Sequence, residues 1–358
     1  MLSPRKSRRP AHKVAILYGA VAADAAPDEQ DVLIEVETAR AALAALGFAP
    51  AILPVTLDLE AARQRLMHLR PALVFNLVES LEGKGRLIHL ASALLESLGL
   101  PFTGSGADAA YVTSNKPLAK RLMRAAGIAT PAWAEPGQPP EFGGPYIVKS
   151  VWEHASIGID DGSVVSERAR LSGLLRRRQR RHGGEWFSEA YIDGREFNLS
   201  LLAGENAVDV LPPAEMCFVG YPPGKPRIVN YAAKWDEASF EFHATPRRFD
   251  FPTEDAPLLA RLEATAKTCW RLFGLRGYAR IDCRIDAVGQ VQVLEVNINP
   301  CLSPDAGFAA AAAQAGLDLQ DIVARIIADR GEPVSPRPAP QPRSRALAGE
   351  ARAFEQAR

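Results

Sequence analysis

Residues 277–300, GYARIDCRIDAVGQVQVLEVNINP, decide how this chain is read. Two apolar runs, 277–285 and 291–297, flank a turn at Ala287, Val288 and Gly289, which predicts a β-hairpin. Alternate residues of a strand share a face, so Glu295 and Asn297 project together, and Asp282 across the hairpin can join them. Two carboxylates and an amide oxygen on rigid strands suit a hard cation that keeps water and phosphate oxygens as further ligands. Magnesium fits that description, with manganese as the close alternative.

Working outward, helices are predicted at 257–273 and 317–329, and strands at 197–202 and 207–211, with a loop-rich stretch at 212–250. Upstream, a helix at 115–127 ends at Thr130-Pro131, and a further unit reads strand 145–149, helix 167–181, strand 186–191. The first part of the chain alternates strands at 14–18, 51–55 and 73–77 with helices at 30–46, 59–70 and 87–98. Such alternation implies a parallel sheet with helices on both faces and functional loops at the carboxyl ends of the strands. The fold class is therefore α/β, passing to α+β in the C-terminal parts. Three domains are expected, at 13–114, 115–194 and 195–330, between a basic tail at 1–12 and a Pro/Arg-rich tail at 331–358.

Composition narrows the function classes. The chain has 358 residues, 47% hydrophobic and 23% charged, and its 42 basic side chains balance 42 acidic ones. An ordinary globular enzyme fits these figures, and neither a nucleic-acid nor a membrane partner is expected. The basic start lacks a signal-type apolar core, which predicts a cytoplasmic protein. Cys217, Cys269, Cys283 and Cys301 are widely spaced, without zinc-type spacing, and read as small buried hydrophobes. The cluster Arg176, Arg177, Arg178, Arg180 and Arg181 reads as a solvated helix face.

The hairpin motifs, together with those upstream, resemble the ATP-grasp superfamily and within it the D-alanine:D-alanine ligase branch. The resemblance is carried by Gly99-Leu100-Pro101-Phe102-Thr103-Gly104-Ser105, Asn115-Lys116, Gly127-Ile128-Ala129-Thr130-Pro131, Ile147-Val148-Lys149, the run 188–197 (SEAYIDGREF), Tyr231-Ala232-Ala233-Lys234 and Leu294 to Pro300, in family order. It implies a three-domain ATP-grasp fold and an ATP-dependent ligase that joins a carboxylate to an amine through an acyl-phosphate. Amino acids or a short peptide are the expected substrates and a homodimer the expected assembly.

By the same resemblance, Lys116 and Lys149 neutralise ATP phosphates, and Glu189 sits at the adenine edge beside the backbone of Ala190, Tyr191 and Ile192. Glu196 accepts from the ribose hydroxyls. Asp282, Glu295 and Asn297 hold the metal, Arg280 faces the acyl-phosphate, and Lys234 meets the γ-phosphate from a loop. Residues 152–158 occupy the place of the phosphate lid. Ser156 remains there from the family's serine pair, and His154, unusual in that place, is expected to face solvent, with a role as acid or base as the alternative.

The substrate motifs depart from the family. The first loop, 19–32, offers no clear counterpart of the family's glutamate. The loop after strand 73–77 carries Glu79 and Glu82 where the family has His-Gly, Trp235 stands for a tyrosine, and Pro300 to Ala306 departs from the acceptor-site pattern. Glu79, Glu82 and Asp305 remain as candidates for binding an ammonium group. A different substrate is therefore expected. Two alternatives stand beside ligation: a non-catalytic ATP-binding regulator, and an enzyme that phosphorylates its substrate and stops.

Overall fold

A computed structural model describes residues 12–330. The expected tails, 1–12 and 331–358, lie outside the described residues except for His12. The first unit runs β1 (Lys13–Gly19), α1 (Pro27–Ala45), β2 (Ala49–Val55), α2 (Leu59–Leu69), β3 (Leu73–Asn76), α3 (His89–Ser97) and α4 (Ala107–Ser114). Its sheet is parallel throughout in the order β2-β1-β3. The helices start at sequence-coded caps: Asp58 accepts from the Ala61 amide at α2, and Pro27 opens α1. At the carboxyl end of β1 a Cβ on Gly19 would lie 2.3 Å from the Ser80 carbonyl, so only glycine lets the two loops meet.

The second unit comprises α5 (Lys116–Ala125), β4 (Trp133–Ala134), β5 (Tyr146–Ser150), β6 (Val164–Val165), α6 (Arg168–His182) and β7 (Trp186–Ala190). Its strands are antiparallel in the order β4-β7-β5-β6. Asn115 caps α5 by accepting from the Leu118 amide at 3.0 Å. On α6, Arg176, Arg177, Arg180 and Arg181 are exposed as expected, whereas Arg178 is buried. Arg178 forks onto Asp160, because its helical position turns it toward the lid loop rather than to water.

The third unit holds β8 (Glu196–Ala203), β9 (Val208–Val210), β10 (Ala214–Met216), α7 (Ala232–Trp235), α8 (Phe240–Ala244), β11 (Arg247–Arg248), α9 (Ala256–Leu272), β12 (Tyr278–Ile285), β13 (Val291–Asn297), α10 (Gly307–Gln314) and α11 (Leu319–Ala328). The sheet order is β11-β10-β8-β12-β13, with β9 on β8, all antiparallel. The stretch expected to be loop-rich thus contains two short strands and two short helices. Alternation splits the sheet cleanly. Phe197, Leu199, Leu201, Ala279, Ile281 and Cys283 pack into the apolar core with α9, while the intervening polar residues face the other way. A second core ties the units together, joining α1, β1 and β3 to Tyr278, α10 and α11.

Candidate active site

The polar face of β8, β12 and β13 is a lattice of paired side chains. Asn198 lies opposite Asp282, and Asp282 opposite Glu295; in the next rows Glu196 meets Arg284, and Arg280 meets Asn297. This alignment depends on a β-bulge. From Ile285 to Cys283 the hairpin register is regular, but it shifts by one between Cys283 and Asp282, leaving Leu294 as the extra residue. In an unshifted register Glu295 would oppose Ile281 and point into the core. The bulge re-aims it onto the Asp282 face, which is how bulges commonly serve sites.

Electrostatics on this face are tightly coupled. Arg280 donates to both oxygens of Asp282, at 2.8 and 2.9 Å, and Asn198 donates to Oδ1 of Asp282 at 2.8 Å. Burial lifts the Asp282 carboxyl above its usual range despite Arg280, and the negative charge of Glu295 adds to the rise. Burial acts on Glu295 the same way, yet the surrounding cations, Lys116 foremost, outweigh it and hold the carboxyl well below the usual range. Lys116 Nζ lies 3.6 Å from Glu295 and donates to the Glu153 carbonyl at 2.6 Å. Two carboxylates facing each other, with an amide oxygen alongside and no sulfur or nitrogen ligand, fit a hard divalent cation.

A second charged group lies at the β5-β7 edge. Glu189 is buried between Lys149 at 2.8 Å and Lys120 at 2.6 Å, and Lys120 also donates to Thr130 at 2.7 Å. Burial pushes the Lys120 ammonium down to about 8. Burial works against ionised Glu189 too, but the two lysines hold its carboxyl below the usual range. Further along, Arg284 donates twice to one oxygen of Glu196, at 2.9 and 2.5 Å.

Two loops clasp each other over this face. Ser156 Oγ donates to the Val229 carbonyl at 2.8 Å, the Tyr231 amide donates to Ile159, and Trp235 Nε1 donates to the Ala155 carbonyl. Ala155 and Ser156 both have positive φ, 56° and 60°, so the lid loop is held in a conformation that non-glycine residues rarely adopt. His154 does not face solvent as expected. Its Nδ1 is buried without a partner, Nε2 lies 3.4 Å from Ser114 Oγ, and burial together with Lys116 pushes the ring down to about 4.

All the predicted site residues line one cavity of about 850 Å³: Lys116, Lys149, Ser156, Glu189, Ala190, Tyr191, Ile192, Glu196, Lys234, Arg280, Asp282, Glu295 and Asn297. Glu79, Glu82, His154 and Asp305 are on its wall as well, as are Asp28, Glu29 and Asp31 from the start of α1. Sequence reading missed Lys120, Asn198 and Arg284. The signal was available: Lys120 is one helical turn beyond Lys116, Asn198 is two past Glu196, and Arg284 is two past Asp282. Among the described residues the cysteines are free; Cys269 and Cys283 are buried as expected, and half-buried Cys301 donates to Asp31.

Three sheets around a cavity in which lysines meet facing carboxylates and an amide oxygen define an ATP-grasp enzyme. The same fold occurs in D-alanine–D-alanine ligase from Bacillus anthracis complexed with ATP, at 21% identity and a TM-score of 0.65, covering 89% of this chain and 96% of that one. The D-ala D-ala ligase C-terminus family matches residues 137–328. D-alanine–D-alanine ligase of Synechococcus sp. (strain JA-3-3Ab) is 32% identical, covering 74% of this chain and 81% of the relative. The Moorella thermoacetica enzyme of that name is 29% identical over 88% of this chain and 98% of its own length. The chain belongs to the D-alanine–D-alanine ligase family, ATP-dependent, ADP-forming ligases of the ATP-grasp type that use a divalent metal. No helix of the described residues is long and apolar enough to cross a membrane.

Proposed function

We propose that this ligase joins two amino-acid-like substrates, a carboxylate and an amine, with magnesium as the working metal and manganese as a substitute. The observation that carries the reading is the bulged hairpin, which sets Asp282, Glu295 and Asn297 on one cavity face beside Arg280. These three residues would hold the metal, which spreads phosphate charge when bound. Lys116, Lys149 and Lys234 neutralise the ATP phosphates. Glu189 and the backbone of Ala190 to Ile192 take the adenine edge, with Lys120 fixing the Glu189 carboxylate. Glu196, anchored through one oxygen by Arg284, keeps its other oxygen for the ribose.

The substrate carboxylate attacks the γ-phosphate, and Arg280 stabilises the oxyanion that forms when the amine adds to the acyl-phosphate. Ser156 serves by locking the lid to the Val229 loop, which excludes water from that acyl-phosphate. The three expected domains would then be the substrate-side unit, 13–114, and the two halves of the nucleotide clamp, 115–194 and 195–330. For a homodimer, α1 offers a candidate face among the described residues, where Leu33 and Ile34 are 45% and 54% exposed beside Leu319.

Relatives named for D-alanine make D-alanine the first substrate to try, but the acids on the wall argue for a different pair. ADP release against a panel of D- and L-amino acids and dipeptides tests this. Stimulation by a carboxylate and amine together, with an amide detected by mass spectrometry, is expected. ADP release that leaves only a phosphorylated substrate identifies the phosphorylating alternative instead. Normal ATP binding without stimulation by any pair points to the regulator.

A further inference from the structure

Among the described residues, Glu79 forms neither a hydrogen bond nor an ion pair, although it is half-buried on the cavity wall. An unpartnered carboxylate facing a cavity costs stability unless a ligand uses it. Its place is fixed from both sides. The loop leaves the carboxyl end of β3, where the Val78 amide donates to Asn76 Oδ1. The Val78 carbonyl accepts from Asn299 Nδ2 at 2.9 Å, and the Asn299 amide donates to Asn297 Oδ1. The residue preceding Glu79 is thus pinned to the end of the strand that carries Glu295 and Asn297, so the distance from Glu79 to the reacting end of the cavity is built in.

The groups facing Glu79 come from every neighbouring element. Asp28, Asp31 and Glu35 approach from α1, Tyr278 and Arg280 from β12, Cys301 from the loop after β13, and Lys234 from α7. Burial and the charge of Asp31 raise the Glu79 carboxyl to about 7, with Arg280 and Lys234 opposing. The same side chain is therefore near an arginine suited to a developing oxyanion and near acids suited to an ammonium group.

We infer that Glu79 is the general base that takes a proton from the incoming ammonium so that the free amine can attack the acyl-phosphate. This rests on the ligase reading above. The ammonium gives one proton to Glu79, and its nitrogen forms the C–N bond. The C–O bond to phosphate then breaks, phosphate leaves with the electron pair, and it takes the second proton that nitrogen loses. A base titrating near neutrality matches the pH at which amino-acid amines are protonated and need one. Asn299 is a positioning residue, acting through the backbone of the loop.

Hydroxylamine separates a role toward the amine from a role in forming the acyl-phosphate, because it is largely unprotonated at neutral pH and traps an acyl-phosphate without a base; the rise of the residual amide rate with pH then marks the base. With ATP, magnesium and each carboxylate of the panel, the wild type should give a hydroxamate. Glu79→Gln should form that hydroxamate within about threefold of wild type yet form the amide with an amino-acid amine roughly 10²–10⁴-fold more slowly at pH 7. Its residual amide rate should climb with pH as free amine becomes available, and Glu79→Asp should recover part of the loss.

A second readout needs no turnover. A carboxyl whose folded value is raised contributes most at low pH and loses that contribution as pH rises from its unfolded value to its folded one. The melting temperature of wild type should therefore fall relative to Glu79→Gln between about pH 4.5 and about pH 7. Equal loss of hydroxamate and amide in Glu79→Gln, or loss of neither, overturns the assignment while leaving the ligase standing. Absence of both products in wild type overturns the ligase reading and the base with it.

Discussion

Asp282 and Glu295 face each other across a hairpin, and like charges in that position repel unless a cation lies between them. Glu295→Gln removes one charge at nearly constant shape. Turnover is expected to fall by at least about 100-fold, on the scale seen when an electrostatic group at a reacting centre is lost. Calorimetry should show ATP binding that no longer strengthens with magnesium. Lys120 makes a different prediction, because it acts on stability. Lys120→Met leaves Glu189 with Lys149 alone, and chemical denaturation should show a loss of about 3 kcal/mol, the lower end for breaking a buried ion pair. At this scale the sequence made the metal-type residues visible, Glu295 and Asn297 through a spacing of two and Asp282 through the hairpin. The one-turn spacing of Lys120 from Lys116 was legible, but its burial was not, because a lysine on an amphipathic helix looks solvated until its partner carboxylate on a strand is known. The sequence also hid the burial of His154, since nothing local in the lid loop tells which way a ring turns.

The bulge belongs to the scale of elements. Deleting Leu294 removes the extra residue and leaves Glu295 opposite Asp282 and Val296 opposite Ile281 in a regular hairpin. Such a variant is expected to keep its magnesium dependence, measured as ATP turnover across a magnesium titration, because the carboxylate stays on the polar face. The sequence carries a trace of this device in Val293-Leu294-Glu295-Val296, where two residues separate core positions that strict alternation would place one apart. The lid clasp gives another test. Trp235→Ala removes the donor to Ala155, and a looser lid admits water to the acyl-phosphate. The ratio of ADP to amide, near one in wild type, should rise severalfold, measured by coupled assay and mass spectrometry. Long helices and paired strands were legible from periodicity. The eight residues of α10, GFAAAAAQ, were not, because alanine-rich sequence has no polar face to set a period. Strands β10 and β11 were too short to show alternation.

Across the whole molecule, the cavity exists because three sheets meet at their functional edges. The parallel sheet brings Gly19 and Glu79 from the ends of β1 and β3, the second sheet brings Lys149 and Glu189, and the third brings the hairpin. The family-level architecture was readable from motif order, while the convergence of α1 acids on the same wall was not, since it depends on how α1 packs against α11 and the loop after β13. Asp31 and Glu35, which accept from Ser303 and the Leu302 amide, belong to this contact. The central claim is that one carboxylate is phosphorylated and then joined to an amine in this cavity. An ¹⁸O label in the carboxylate of the substrate found by the panel tests it most directly. The expected result is one ¹⁸O in the released phosphate for each amide formed. Amide formation with unlabelled phosphate would contradict the account.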